Sequence, residues 1–181
     1  MTAPTLTDGV VTVRALSPAD VTPYVAAFQD DAELANLLGY EHDPDAAHVQ
    51  RWLDATWTAP PKLRQWEFAI ADTSDDTFLG TLMLHSYDSK NRRAETGFWI
   101  VPGARGRGVL TRALRLVLDW AFDELLLERM ELTALPENAA VPRIAARFGY
   151  RFEGTMRGRN LERGRRVDLL LWGLLRDERP N

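Results

Sequence analysis

The chain has 181 residues, 45% hydrophobic and 9% aromatic, with a formal net charge of −4; that length supports one sizeable core and is short for two domains. Cysteine is absent, and the three histidines (His42, His48, His85) show no paired ligand spacing, which excludes disulfides, a thiol nucleophile and a thiolate zinc site and leaves no metal centre to expect. No apolar run is long enough to span a membrane and the N-terminus lacks a basic-then-apolar leader, so the expected location is the cytoplasm.

"GVVTVRAL" alternates well enough for a first strand. The segment "SPADVTPYVAAFQDDAELANLL" reads as helix, with Ser17 as cap and Pro18 at the first helical position. A second helix is expected over "DPDAAHVQRWLDATWTA", capped by an acid at Asp43 and ended by Pro60 and Pro61. The period then changes to two. Residues 65–72, 77–88 and 92–101, separated by "TSD" and "SKN", predict an antiparallel meander. Leu110, Ala113, Leu114, Val117, Ala121 and Leu125 recur at helical spacing with charged residues opposite, predicting a long amphipathic helix. A strand over 129–135, a short helix within 138–149 closed by Gly149, and two strands over 150–160 and 165–175 complete the chain.

Charge is unevenly spread. Residues 1–60 carry two arginines against nine acids, and residues 140–181 ten arginines against five acids. A basic end can meet nucleic acid, but the chain has two lysines in all and shows no aromatic platform or recognition-helix motif, so nucleic acid is not an expected partner.

Between the third meander strand and the long helix lies "VPGARGRGVLT". A strand, a glycine-rich turn and a helix form an anion-binding arrangement: glycines let several backbone N–H groups converge, and the helix dipole adds positive potential. A dinucleotide fingerprint would need glycine at 111, which is Thr, and a nucleotide-hydrolysing phosphate loop would need Gly-Lys-Ser/Thr. Neither is present.

The run "ETGFWIVPGARGRGVLTRALRLVLDWAFDELLLERMELTALPENAAVPRIAARFGYRFEGTMR" resembles the core of the GNAT superfamily of acyl-CoA N-acyltransferases, most closely its RimJ/RimL-type branch. The likeness extends more weakly to both ends, which implies a single GNAT domain over residues 8–176. The implied fold is α/β, a mixed, twisted sheet of about seven strands with helices on both faces. The family's Arg/Gln-x-x-Gly-x-Gly/Ala signature falls on Arg105, Gly106, Arg107, Gly108, Val109 and Leu110, and Thr111 follows in the helix. In the family this segment holds the pyrophosphate of CoA, so acetyl-CoA is the implied cosubstrate. The resemblance further implies that the strand ending in Phe98, Trp99, Ile100 and Val101 splays from its neighbour to hold the pantetheine arm, and that Asn138 contacts CoA. Core packing is the plain alternative for Phe98 and Trp99. Two positions depart from the pattern: Leu110 stands where Gly or Ala is usual, and Val141 where Ser is usual.

Acetyl transfer to an amine needs a proton acceptor more than a proton donor, because an amine near pKa ~10 is mostly protonated at neutral pH whereas a thiolate of pKa ~8.5 leaves readily. Glu95, on the strand face of Gly97 and Trp99, matches a Glu common in the RimJ/RimL-type branch and is the candidate base; a solvated strand carboxylate is its alternative. His85, Asp88 and Asp168 rank behind it. The family's Tyr acid falls on Ala145, and Tyr150 reads as core. The expected activity is N-acetylation of a primary amine, either a protein N-terminus or a small molecule, with a homodimer compatible. A non-catalytic acyl-CoA-binding protein of the same fold is the alternative that Leu110 and Val141 motivate.

Overall fold

The computed structural model describes residues 3–31, 33–38, 44–51 and 66–180. Eight strands form one sheet: β1 (Leu6–Thr7), β2 (Val11–Ala15), β3 (Trp66–Asp72), β4 (Phe78–Asp88), β5 (Arg93–Ile100), β6 (Arg129–Ala134), β7 (Arg151–Glu162) and β8 (Arg165–Leu175), in the spatial order β1-β2-β3-β4-β5-β6-β8-β7. The meander of β3, β4 and β5 is antiparallel, as alternation and short polar turns dictate. Strand β6 then joins β5 in parallel, which requires a crossover, and α4 (Val109–Asp123) supplies it. The expected count of about seven strands becomes eight because two residues, Leu6 and Thr7, pair with Val13 and Thr12 ahead of the predicted first strand. So short a segment has no period to read.

Helices cover both faces. Under α4 and α5 (Val141–Arg147) lies the larger core, including Phe68, Leu82, Leu84, Leu114, Val117, Met130, Leu132 and Leu174. The stripe predicted for α4 is the one it buries, except that Leu110 is only partly covered and Leu125, also partly covered, lies beyond the end of the helix. Under α1 (Val21–Asp30) and α2 (Leu34–Leu37) lies a second core of Leu16, Tyr24, Phe28, Leu34, Phe78 and Trp99. Trp99 stands edge-on to Tyr24 and Phe28, with ring centroids 5.0 and 5.5 Å away.

The single helix expected over 17–38 is three pieces: a 3-10 turn at Pro18–Asp20, then α1, then α2. At the break, Asp31 is extended and its Oδ1 accepts from the Glu33 N–H at 3.1 Å, so a side chain captures an amide that helix continuation would need. Ser17 does stand at the start, where the Asp20 carboxylate accepts from both its N–H (2.8 Å) and its hydroxyl (2.9 Å). Of the second predicted helix, residues 46–51 are helical (α3), and at their start Asp45 Oδ1 accepts from the His48 N–H at 2.6 Å. Asp43 and residues 52–61 lie outside the described residues. No helix of the described residues is long and apolar enough to cross a membrane.

Candidate active site

The register places the opening. Strands β5 and β6 pair from Arg93 with Arg129 to Thr96 with Leu132, and then part. Beyond that point β5 stays with β4 as far as Ile100, opposite Gly80, while β6 stays with β8 as far as Ala134, opposite Leu170. Gly80 makes the first attachment possible: its φ is +149°, and a Cβ there would lie 2.3 Å from the Trp99 carbonyl oxygen. Only glycine lets β4 press that closely on the end of β5.

A cleft of about 640 Å³ occupies the gap between the parted strands. Of the residues singled out from sequence, Trp99, Ile100, Arg105, Gly106, Gly108, Val109, Leu110, Thr111 and Asn138 line it; Val101, Arg107 and Glu95 do not. Val101 has its N–H committed to the Leu79 carbonyl at 3.0 Å, and Arg107 is exposed. Sequence reasoning missed Leu34, Leu38, Thr96, Thr133, Arg143 and Arg147 as lining residues. Arg143 and Arg147 were findable, since their four-residue spacing puts both on one face of α5. Leu34 and Leu38 were not, because only the tertiary fold brings α2 over the parted strands.

At one end of the cleft the backbone is arranged for an anion. Gly106 (φ +72°) and Gly108 (φ +79°) are both left-handed, a conformation that costs other residues roughly 1–2 kcal/mol. A Cβ at either would meet nothing within 4 Å, so the space above them is open to an approaching group. Helix α4 starts directly from Gly108 without a side-chain cap or an acid in its first turn. Its first internal bond runs from the Arg112 N–H to the Gly108 carbonyl at 3.1 Å, so the amides before Arg112 are left at the positive end of the dipole. Arg105 is anchored twice: its Nε donates to the Ile100 carbonyl at 2.9 Å, and its guanidinium pairs with Asp31. Asn138 is fixed in a turn of its own, its Oδ1 accepting from the Ala140 N–H at 3.2 Å.

Further along β5, where it is still joined to β6, Glu95 sits opposite His85 on β4 and Glu131 on β6. The Thr133 hydroxyl donates to Glu95 Oε1, and His85 Nδ1 lies 4.0 Å from Oε2. With its side chain 16% exposed, the carboxylate is shielded and one residue beyond the cleft wall formed by Thr96 and Gly97. Glu131 is unavailable, bound to Arg93 (2.9 Å) and Arg129 (2.8 Å). The other carboxylates considered are turn residues: Asp88 accepts from Asn91, and Asp168 from the Gly158 N–H at 2.6 Å. Tyr150 is buried, and burial pushes its phenol up despite Thr96 nearby.

Comparison with known proteins agrees with this geometry. The model of the Acetyltransferase (GNAT) domain matches residues 11–151. The Bacillus subtilis (strain 168) protein YdaF, named "Putative ribosomal N-acetyltransferase", is 28% identical over 177 residues, covering 93% of this chain and 92% of that protein. Spermidine N(1)-acetyltransferase of Escherichia coli (strain K12) is 28% identical over 130 residues, 66% of this chain and 70% of that one. Among solved structures, a GCN5-related N-acetyltransferase from Brucella melitensis superposes with a TM-score of 0.84 at 27% identity, covering 98% of this chain and 81% of that one. Mycobacterium smegmatis RimJ, in complex with CoA-disulfide, gives a TM-score of 0.85 over all of this chain and 90% of that one; its 24% identity makes that a likeness of fold. A family model that spans most of the chain, strands that part after Thr96 and a glycine turn opening α4 at the cleft lead to one conclusion: the chain belongs to the GNAT family of acetyltransferases, and it is an N-acetyltransferase.

Proposed function

We propose that the chain transfers an acetyl group from acetyl-CoA to a primary amine, either a protein N-terminal α-amine or the amine of a small molecule, in the cytoplasm. The observation that carries the reading is the cleft between β5 and β6, which has the uncapped start of α4 and Arg105 at one end and a shielded carboxylate beside the other. The pyrophosphate of acetyl-CoA would lie against the amides from Gly106 to Thr111, and the molecule would supply the activated acyl group. Positively charged Arg143 and Arg147 on α5 line the same cleft and would add to that attraction.

In this reading Glu95, oriented by Thr133, accepts the proton that the amine loses, directly or through one water. The backbone groups of Gly97–Trp99, on the edge of β5 that β6 has left, would face the carbonyl and supply donors where negative charge develops. Position 141 is Val and position 145 is Ala, so neither α5 position supplies a hydroxyl to return a proton, and the sulfur would leave as thiolate or take its proton from water.

Two relatives' names point to different acceptors, ribosomal protein in one case and spermidine in the other. A thiol-release assay with acetyl-CoA against N-terminal peptides, polyamines, amino acids and aminoglycosides tests the reading. Release that depends on one class of amine supports it. Tight CoA binding with no acetyl transfer and no acetyl-CoA hydrolysis would instead mark a binding protein.

A further inference from the structure

Acetylation removes two protons from the acceptor nitrogen, because a primary amine is mostly an ammonium ion at neutral pH and ends as an amide with one hydrogen. In the proposed mechanism Glu95 accounts for one. The other has to go before attack, since an ammonium nitrogen has no electron pair to give.

His85 stands where that proton can go. It pairs with Glu95 across β4 and β5, and Met83 pairs with Gly97 in the row two residues on, so strand alternation puts all four on one face. The two ring nitrogens point to different places. Nε2 lies 3.6 Å from where a Cβ would stand at Gly97, a residue of the cleft wall, in a space bounded by Met83 and the imidazole. Gly97 has no side chain to fill it. Nδ1 lies 3.1 Å from the Ser86 hydroxyl and 4.0 Å from Glu95 Oε2. A carboxylate so placed favours the tautomer with its hydrogen on Nδ1, which leaves the Nε2 lone pair toward the cleft.

The backbone is bent to make this arrangement. The pairing of β4 with β5 slips after His85, and Ser86 holds a left-handed φ of +53°. A strained residue of this kind persists only where its surroundings fix it, and such residues gather at active sites. Here the bend sets an exposed hydroxyl against Nδ1, beside an imidazole that is itself 27% exposed. Among the described residues, the other ionisable groups nearby are engaged elsewhere: Glu131 with Arg93 and Arg129, Asp88 with Asn91 and Arg93, and Tyr87 against Trp66.

On the reading that this cleft acetylates amines with Glu95 as base, we infer that His85 is a second base, which turns the arriving ammonium into a free amine. An imidazole of pKa ~6.5 is better matched than a carboxylate of ~4.3 to an ammonium near ~10.4. The nitrogen becomes far more acidic once it is bonded to the acyl carbon, and there a carboxylate suffices. Nε2 takes the first proton, and the imidazolium, facing the Glu95 carboxylate, loses its Nδ1 proton to water by way of the Ser86 hydroxyl. The freed amine then forms the C–N bond, Glu95 takes the second proton, and the C–S bond breaks with its electron pair on sulfur.

The test measures thiol release with ethylamine and trifluoroethylamine, which share a carbon skeleton but differ in that fluorine leaves the second nitrogen largely neutral at neutral pH. His85→Gln should lower kcat/KM for ethylamine by ~10²-fold, against about tenfold or less for trifluoroethylamine, with acetyl-CoA affinity unchanged by calorimetry. Glu95→Gln should slow both amines alike. His85→Ala should regain ethylamine turnover when imidazole is added, which a residue that only holds the strand would not show. Equal losses for the two amines in folded His85→Gln, or no loss for either, overturn the inference. Wild type inert toward both amines overturns it too; if it is inert toward every amine of the wider panel, the acetyltransferase reading falls as well.

Discussion

At the level of single residues, Gly108 and Glu95 make separable demands. Gly108 holds a left-handed φ of +79° at the N-cap of α4, with open space where a side chain would go. Gly108→Val should leave a folded protein, destabilised by roughly 1–2 kcal/mol of backbone strain, whose new side chain occupies the anion's approach. Calorimetry should find CoA affinity lost; unchanged affinity would remove this loop from the CoA site. Glu95→Gln keeps size and polarity but not basicity. It should lower kcat by ~10²- to 10⁴-fold with acetyl-CoA affinity unchanged, and recover partly at high pH where the amine is already neutral. A two- or threefold loss would assign Glu95 to positioning instead. Glu67 gives a third expectation. Burial pushes its carboxyl from an ordinary value near 4.5 up to about 8, with Thr81 acting weakly the other way. Across that interval the folded state retains a proton that the unfolded state has released, so the stability this group contributes is full at low pH and is lost as pH rises through about 8. The Tm of Glu67→Gln should gain on wild type from about pH 5 to about pH 8 and keep a constant lead above that. A gap that does not vary with pH would contradict the burial.

At the level of elements, the long periodic segments were legible and the breaks were not. Helix α4 was readable because six apolar residues repeat over four turns, and Leu114 at its centre is fully buried. Leu114→Ala should cost ~2–5 kcal/mol and lower Tm by roughly 5–15 °C; a smaller loss would mean that the two helices and sheet around it collapse into the cavity. The fracture of the first helix was hidden because it depends on one carboxylate: Asp31 is an unremarkable helix-surface residue by period, and its capture of the Glu33 amide is a local competition that period does not register. The cleft was half legible. A glycine-rich turn before a helix is a weak signal by itself and became an expected anion site through the family resemblance of the run around it, whereas Thr133 and His85 reach Glu95 only through strand pairing across the sheet. The buried state of Glu67 was hidden for a related reason, since "WEFAIAD" reads as a strand with a polar edge and only the covering helices convert that edge into an interior.

At the level of the whole molecule, the charge asymmetry of the sequence survives folding as a division of surfaces. Exposed Glu33 and Asp45 lie on the side of α1 to α3, and exposed Arg157, Arg159, Arg163, Arg165 and Arg166 crowd the far hairpin of β7 and β8. A cationic acceptor approaching the α2 side should therefore be turned over more slowly as salt is raised, through KM more than kcat; a KM indifferent to ionic strength would place the acceptor elsewhere. The glycine turn is tied to the acidic side by an ion pair. Arg105 belongs to the glycine turn, yet it holds Asp31 at the junction of α1 and α2. An anion that drew the guanidinium to itself would loosen that clasp and free a carboxylate beside α2. Donor and acceptor would then no longer be independent: each would favour the other's binding by the same factor, as thermodynamic reciprocity requires. Asp31 would be the residue through which that coupling runs.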